Sequence, residues 1–295
     1  MKKIILLIIL LSMSFTYAIA HQPKLIKYSP SSNKPHDVIE PEISKAYYGK
    51  LIGVSNDIEG IGLSKYDYSS EYGSSGKLKA IMQLTGLEYL KYGPALHEIA
   101  HQWANFALLT HSVDAQGQNI SSFPYGSHWG FTGGSSPGQL GGFDQNTLVE
   151  NGNSSYTVDG FGPFANGGNG VPYNELELYL MGMLPLSSVS SFDVFTNITS
   201  LTINQSTWDF TAETRTTYGP VTLENAIGER VPSFTDSQKD FKLLLIVITD
   251  DNLSDDEWSR VDATAEWFSK NGDDGTSLFN FWEATNGVGS ITIEN

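Results

Sequence analysis

The sequence predicts an α+β fold, and three observations carry that expectation. Residues 94–109 place Leu96, Ile99, Trp103 and Phe106 at three- and four-residue steps, the spacing of one buried helix face. Residues 76–84 (GKLKAIMQL) place Leu78, Ala80, Met82 and Leu84 at two-residue steps, as in a half-buried strand, although the segment is also compatible with a helix. Residues 241–249 (FKLLLIVIT) form an unbroken apolar run of strand length, followed by helical patterns at 254–269 and 275–284.

From the amino terminus, Met1-Lys2-Lys3 supplies positive charge, Ile4 to Leu11 is apolar, and Ala18-Ile19-Ala20 offers small residues at a cleavage site. That order is a secretory signal peptide over residues 1–20, so a secreted or periplasmic chain beginning near His21 is expected. The apolar run is too short to span a bilayer and no later run is longer, so no membrane attachment is expected after cleavage. The remaining 275 or so residues suffice for a large core. They divide into 21–185, an N-terminal segment with the main core, and 186–295, a smaller α/β portion completing the fold.

Residues 21–75 are rich in Pro, Ser, Tyr and Asp and read as short strands and turns. From Ser112 to Val171 the chain is loop-like, with thirteen glycines between 126 and 170. Aromatics at Phe123, Tyr125, Trp129, Phe131, Phe143, Tyr156, Phe161 and Phe164 argue that these loops are ordered and pack around a site. Residues 173–184 (YNELELYLMGML) return to helix, with Asn174 and Glu177 spaced as a capping box and Pro185 as the stop. In the 254–269 helix, Trp258, Val261, Ala265 and Phe268 share a face.

Composition excludes several classes. The net charge is −16, and loss of Lys2 and Lys3 takes it to −18, a surface that repels phosphate backbones, so no nucleic-acid partner is expected. There are no cysteines, so neither disulfides nor thiolate ligands are available, and any metal has to sit on histidines and carboxylates. A structural Ca²⁺ is conceivable at the Asp250, Asp251, Asp255, Asp256 group or at Asp273 and Asp274, but neither has the spacing of a calcium loop, and solvated charge is the simpler reading.

The chemistry concentrates at His97-Glu98-Ile99-Ala100-His101, an HExxH motif. Residues four apart lie on one helix face, so His97 and His101 can grip one metal ion, and the adjacent Glu98 can act as general base toward water activated there. The ion expected from such ligands is Zn²⁺, and the reaction is metal-assisted hydrolysis, most often of a peptide bond. The competing reading is a pair of buried polar residues satisfied by their neighbours.

A catalytic zinc needs a third protein ligand and an open position. Ala104 and Ala107 occupy the Gly and His positions of the metzincin extension HExxHxxGxxH, so the chain is not a metzincin and the third ligand lies further away. His128, in Gly126-Ser127-His128-Trp129-Gly130, is the first candidate; the alternative is a carboxylate on the later helix, Glu177 or Glu175. His111 follows the metal helix and reads as a surface residue. Tyr173, Tyr179 and His111 are candidates for stabilising an oxyanion.

Taken in order, Leu96-His97-Glu98-Ile99-Ala100-His101-Gln102-Trp103, Ser127-His128-Trp129, and Tyr173-Asn174-Glu175-Leu176-Glu177-Leu178-Tyr179-Leu180-Met181-Gly182 resemble a group of secreted bacterial zincin-like metallopeptidases. So do Asn56-Asp57 through Gly60-Ile61-Gly62, Tyr72-Gly73-Ser74, Arg230-Val231-Pro232-Ser233, 236–241 (DSQKDF) and 281–287 (FWEATNG). The resemblance spans most of the mature chain. It implies a zincin-like catalytic domain with one zinc ion, and both His128 and Glu177 match recurring positions. The short, Asn- and Ser-rich glycine loop departs from the group's pattern. In such domains an edge strand beside the cleft pairs with extended substrate, the role expected of residues 76–84.

The function expected is a secreted zinc metalloendopeptidase acting on protein or peptide substrate as a monomer. The alternative is a non-catalytic zincin-fold binding or adhesion protein. A further idea, an amino-terminal copper site on His21, has no supporting feature elsewhere in the chain.

Overall fold

The computed structural model describes residues 5–12, 49–61, 65–104, 107–108, 111–113, 120–122, 128–159, 162, 168–204 and 206–293. The expected cleavage site at 18–20, His21, His36, Phe106, Phe123, Tyr125, Phe161 and Phe164 lie outside the described residues.

The chain forms strands β1 (Ile5–Ser12), β2 (Lys50–Gly53) and β3 (Leu78–Leu84), then helices α1 (Tyr89–Tyr92) and α2 (Ala95–Ala100). Short strands follow: β4 (His111–Val113), β5 (Ile120–Ser122), β6 (Gly133–Gly134), β7 (Phe143–Asp144), β8 (Val149–Gly152) and β9 (Ser155–Asp159). Next come α3 (Glu175–Leu180), the long hairpin β10 (Phe192–Ile203) and β11 (Thr207–Tyr218), and α4 (Pro220–Ile227). The chain closes with β12 (Asp240–Ile248), α5 (Asp255–Phe268), α6 (Phe281–Ala284) and β13 (Ser290–Ile293).

The mixed α/β architecture has two main sheets. The larger runs β13–β12–β1–β3–β2, with β12 and β13 parallel and the other pairs antiparallel. The smaller runs β10–β11–β9–β8, antiparallel throughout. No sheet boundary falls at 185/186: β12 and β13 share a sheet with β2 and β3, while β10 and β11 share one with β8 and β9.

Several elements differ from their sequence reading. The apolar run read as a signal segment is β1, seated between β3 and β12. A run of Ile and Leu suits a strand as well as an export signal, and the strand pairing does not bear on export. The 76–84 segment is a strand, but it is interior to the sheet: the edge is β2. Both faces of β3 are covered, so Lys79 and Ile81 are buried along with the expected Leu78, Ala80, Met82 and Leu84.

Helix α3 ends at Leu180, well before Pro185, because the Met183 N–H turns back onto the Leu178 carbonyl. Of 275–284, only Phe281–Ala284 is helical. Upstream, Asp273 and Asp274 accept from the Gly275 and Thr276 N–H groups, side-chain bonds that compete with a helix.

The main core packs α2 against the larger sheet: Leu96, Ile99, Ala100 and Trp103 join Met82, Leu84, Phe241 and Leu243. Trp103 meets Phe241 edge-on at 5.6 Å between ring centres. A second core of Phe131, Phe143, Val158, Phe195 and Phe210 lies on the smaller sheet. Among the described residues no helix is long and apolar enough to cross a membrane.

Candidate metal centre

Helix α2 is shorter than its apolar periodicity suggests. After Ala100 the hydrogen bonds tighten, with His101, Gln102 and Trp103 donating three residues back, so the helix proper is little more than the turn that carries both histidines. Its start is clamped from outside. The Asn169 Oδ1 accepts from the Leu96 N–H at 3.0 Å, and its Nδ2 donates to the carbonyls of Leu90 and Lys91 at 2.9 and 2.8 Å. The Tyr173 hydroxyl donates to the Leu96 carbonyl at 2.8 Å. Tyr173 is thus a buried support of α2. Tyr179 is also buried, with the Arg230 main-chain N–H at its hydroxyl. Nothing aims either phenol at the metal site. The side chain of His111 lies outside the described residues.

The structure brings His97, His101 and His128 together. Their ligating nitrogens all lie within 4.8 Å of one another. The His97 Nε2 is 3.1 Å from that of His101 and 3.2 Å from that of His128. Donors about 2.05 Å from one tetrahedral ion stand roughly 3.3 Å apart, so these spacings fit three ligands of a single zinc-sized cation.

Protonation fits as well. The His97 Nδ1 lies 2.7 Å from the Gln139 carbonyl oxygen, which can only accept, so Nδ1 carries the proton and Nε2 presents its lone pair. Burial, followed by the neighbouring His101 and His128, holds His97 well below the usual imidazole range. Burial and then His101 bring His128 down to about 3. Both rings are therefore neutral at pH 7, the form that binds metal. His97 is buried while His101 and His128 are half-buried, so the cluster opens toward the surface on their side. This triad can hold a metal ion.

Glu98 is buried against edge strand β2. The Leu51 N–H donates to its carboxylate, and Gly49 approaches so closely that a Cβ there would fall 2.8 Å from Oε1. Burial raises Glu98 to about 7, with the Leu51 bond working the other way.

Glu177 stands apart from the triad. Its Oε1 accepts from Trp129 Nε1 at 3.1 Å and the Leu140 N–H at 2.7 Å; its Oε2 accepts from the Gln139 and Asn174 N–H groups, both at 3.0 Å. Four donors fill the carboxylate, leaving His128 as the candidate third ligand at the cluster. Glu175 accepts from Ser190 on the exposed side of α3. The residues that sequence reasoning missed are Gln139, Asn169 and Leu51. Two act at the metal helix through main-chain atoms, which no residue type announces, and Asn169 sits in a glycine tract that reads as loop.

Of the acidic groups, Asp273, Asp274 and Glu283 also bring their oxygens within 4.8 Å of one another. Asp274 is engaged by Trp267 Nε1 at 2.8 Å and by the Thr276 N–H, and Asp273 by the Gly275 N–H. Asp255 and Asp256 occupy the first turn of α5, where negative charge suits the helix dipole. Comparison with protein-family models, with characterised proteins and with solved structures finds no match.

Proposed function

We propose that this chain is an exported zinc-dependent endopeptidase with a zincin-like catalytic domain. The observation that carries the reading is the convergence of three imidazoles, two from one helical turn, with a buried carboxylate between those two in sequence. His97, His101 and His128 would hold the ion. An all-imidazole set of three suits Zn²⁺, which leaves one position open in catalytic sites. When bound, such an ion acts as a Lewis acid and lowers the pKa of a coordinated water.

The chain's own residues supply the rest. Glu98, with a pKa near neutrality, is suited to take a proton from attacking water and later deliver it to the leaving amine. The Leu51 N–H orients that carboxylate from the edge of the sheet. As the edge strand beside Glu98, β2 is where an extended peptide would add by main-chain pairing. Export rests on the residues ahead of His21, as read from the sequence.

Glu98→Gln tests the reading. The variant should keep its metal while chelator-sensitive hydrolysis of casein or gelatin falls about 10²–10⁴-fold. Unchanged turnover would remove Glu98 from the chemistry. The second reading, a binding protein on the same fold, is favoured by one observation: Glu98 is only 6% exposed. Metal binding without hydrolysis of any protein substrate would select it.

A further inference from the structure

The Glu177 carboxylate does more than cap α3. A capping box needs one acceptor oxygen, here Oε2 toward the Asn174 N–H, and Gln serves that purpose as well as Glu. Three of the four donors to Glu177 come from elsewhere, namely Trp129, Gln139 and Leu140. Each of those residues adjoins or supports a candidate metal ligand.

One of the three bonds reaches His97 through a single peptide group. The Leu140 N–H and the Gln139 carbonyl belong to the same planar trans peptide and point in opposite directions. The N–H ends on Glu177 Oε1 at 2.7 Å, and the carbonyl accepts from His97 Nδ1 at 2.7 Å. A carboxylate bound at one end polarises the amide and makes the oxygen at the other end a better acceptor. A stronger bond at Nδ1 fixes the His97 tautomer and makes Nε2 a stronger donor to metal, the service a carboxylate performs when it binds a ligand histidine directly.

The other bonds hold the loop that carries His128. Trp129, the next residue, donates its indole N–H to the same Oε1, and its main-chain N–H donates to the Leu140 carbonyl at 2.9 Å. Gly138 completes the seat: a Cβ there would lie 2.6 and 2.7 Å from the two carboxylate oxygens. A carboxylate with no solvent exposure is expensive to bury, and this one uses its oxygens fully.

We propose that Glu177 is a positioning residue of the metal centre, orienting His97 through the Gln139–Leu140 peptide and His128 through Trp129. This inference rests on the metal-binding reading above. Its test is Glu177→Gln in the full chain, which keeps an acceptor for the cap but sets an amide NH₂ against N–H donors. Zn²⁺ affinity, measured by competition with a chromophoric chelator, should fall about 10–100-fold. The visible absorption of the Co²⁺-loaded variant should differ from wild type, a signature that loss of fold stability alone does not move. Asn174→Ala, which removes the side-chain cap on the Glu177 N–H but leaves all four donors to the carboxylate, should lower stability and leave affinity within about threefold. If Glu177→Gln does not fold, Trp129→Phe removes one donor and should weaken Zn²⁺ binding about 3–10-fold.

Wild-type affinity and a wild-type Co²⁺ spectrum in Glu177→Gln, or in Trp129→Phe should it stand in, would overturn the positioning role alone. A wild-type chain that binds no Zn²⁺ would overturn both this role and the reading on which it rests.

Discussion

The His97 Nδ1 donates to the main-chain oxygen of Gln139, 42 residues further along the chain, at 2.7 Å. That bond decides which nitrogen of His97 is free, and it turns Nε2 toward His101 and His128. An HExxH motif supplies two ligands one helical turn apart, but a carbonyl in a distant loop sets how the first of them faces.

His128 is the candidate ligand that the loop contributes, and His128→Ala is expected to weaken Zn²⁺ binding on the order of 10²-fold or more, beyond the range expected for a supporting residue. Chelator competition measures this directly. A variant with unchanged affinity would mean that His97 and His101 bind with some other partner.

The depressed pKa values of His97 and His128 set the acid dependence of metal binding. Both groups are held below the usual imidazole range, so an incoming ion has no proton to displace from either ring near neutral pH. At most one imidazole of the three can then lose a proton to the metal. The affinity should therefore fall by no more than about tenfold per pH unit on acidification, where three ordinary histidines would give up to about a thousandfold. The measurement belongs in the Glu98→Gln variant, which removes the carboxylate's own proton from the count. A slope of two or three in log affinity against pH would contradict the assignment.

Asn169 ties the end of α1 to the start of α2 with three buried hydrogen bonds. Asn169→Ala leaves the Leu96 N–H and two carbonyls without those bonds and should destabilise the fold by roughly 2–4 kcal/mol, as read by chemical denaturation of the metal-free protein. A loss below about 0.5 kcal/mol would show that water replaces the amide at no expense.

The segment Ile5–Ser12 reads in the sequence as an export signal and forms a strand of the larger sheet, two uses that a cleaved chain cannot combine. Export with cleavage after Ala20 predicts that the intact mass of the secreted protein corresponds to a chain starting at His21. A mature protein that retains Met1 would instead make β1 a permanent member of the sheet.

Much of this was legible in the residues. The periodicity around α2, the apolar run of β12 and the helical pattern of α5 act locally, so their signals are local. The hairpin of β8 and β9 lies inside a glycine-rich tract that reads as loop, although Asn151-Gly152-Asn153 is a turn signal and Asn153 and Ser154 take the positive φ angles that such hairpins need. The sheet partners of β2 and β3 are set by long-range pairing, which no period announces. The choice between His128 and Glu177 was equally open in the sequence, because it turns on where a loop of small residues folds back. There the deciding contacts belong to main-chain N–H and C=O groups, which every residue carries.

The central claim is tested most directly by the metal content of the purified protein. Inductively coupled plasma mass spectrometry should find close to one zinc per chain in the wild type and a large loss in a His97→Ala, His101→Ala double variant that remains folded. A wild-type chain that stays metal-free after equilibration with zinc, or a double variant that retains its zinc, would contradict the account.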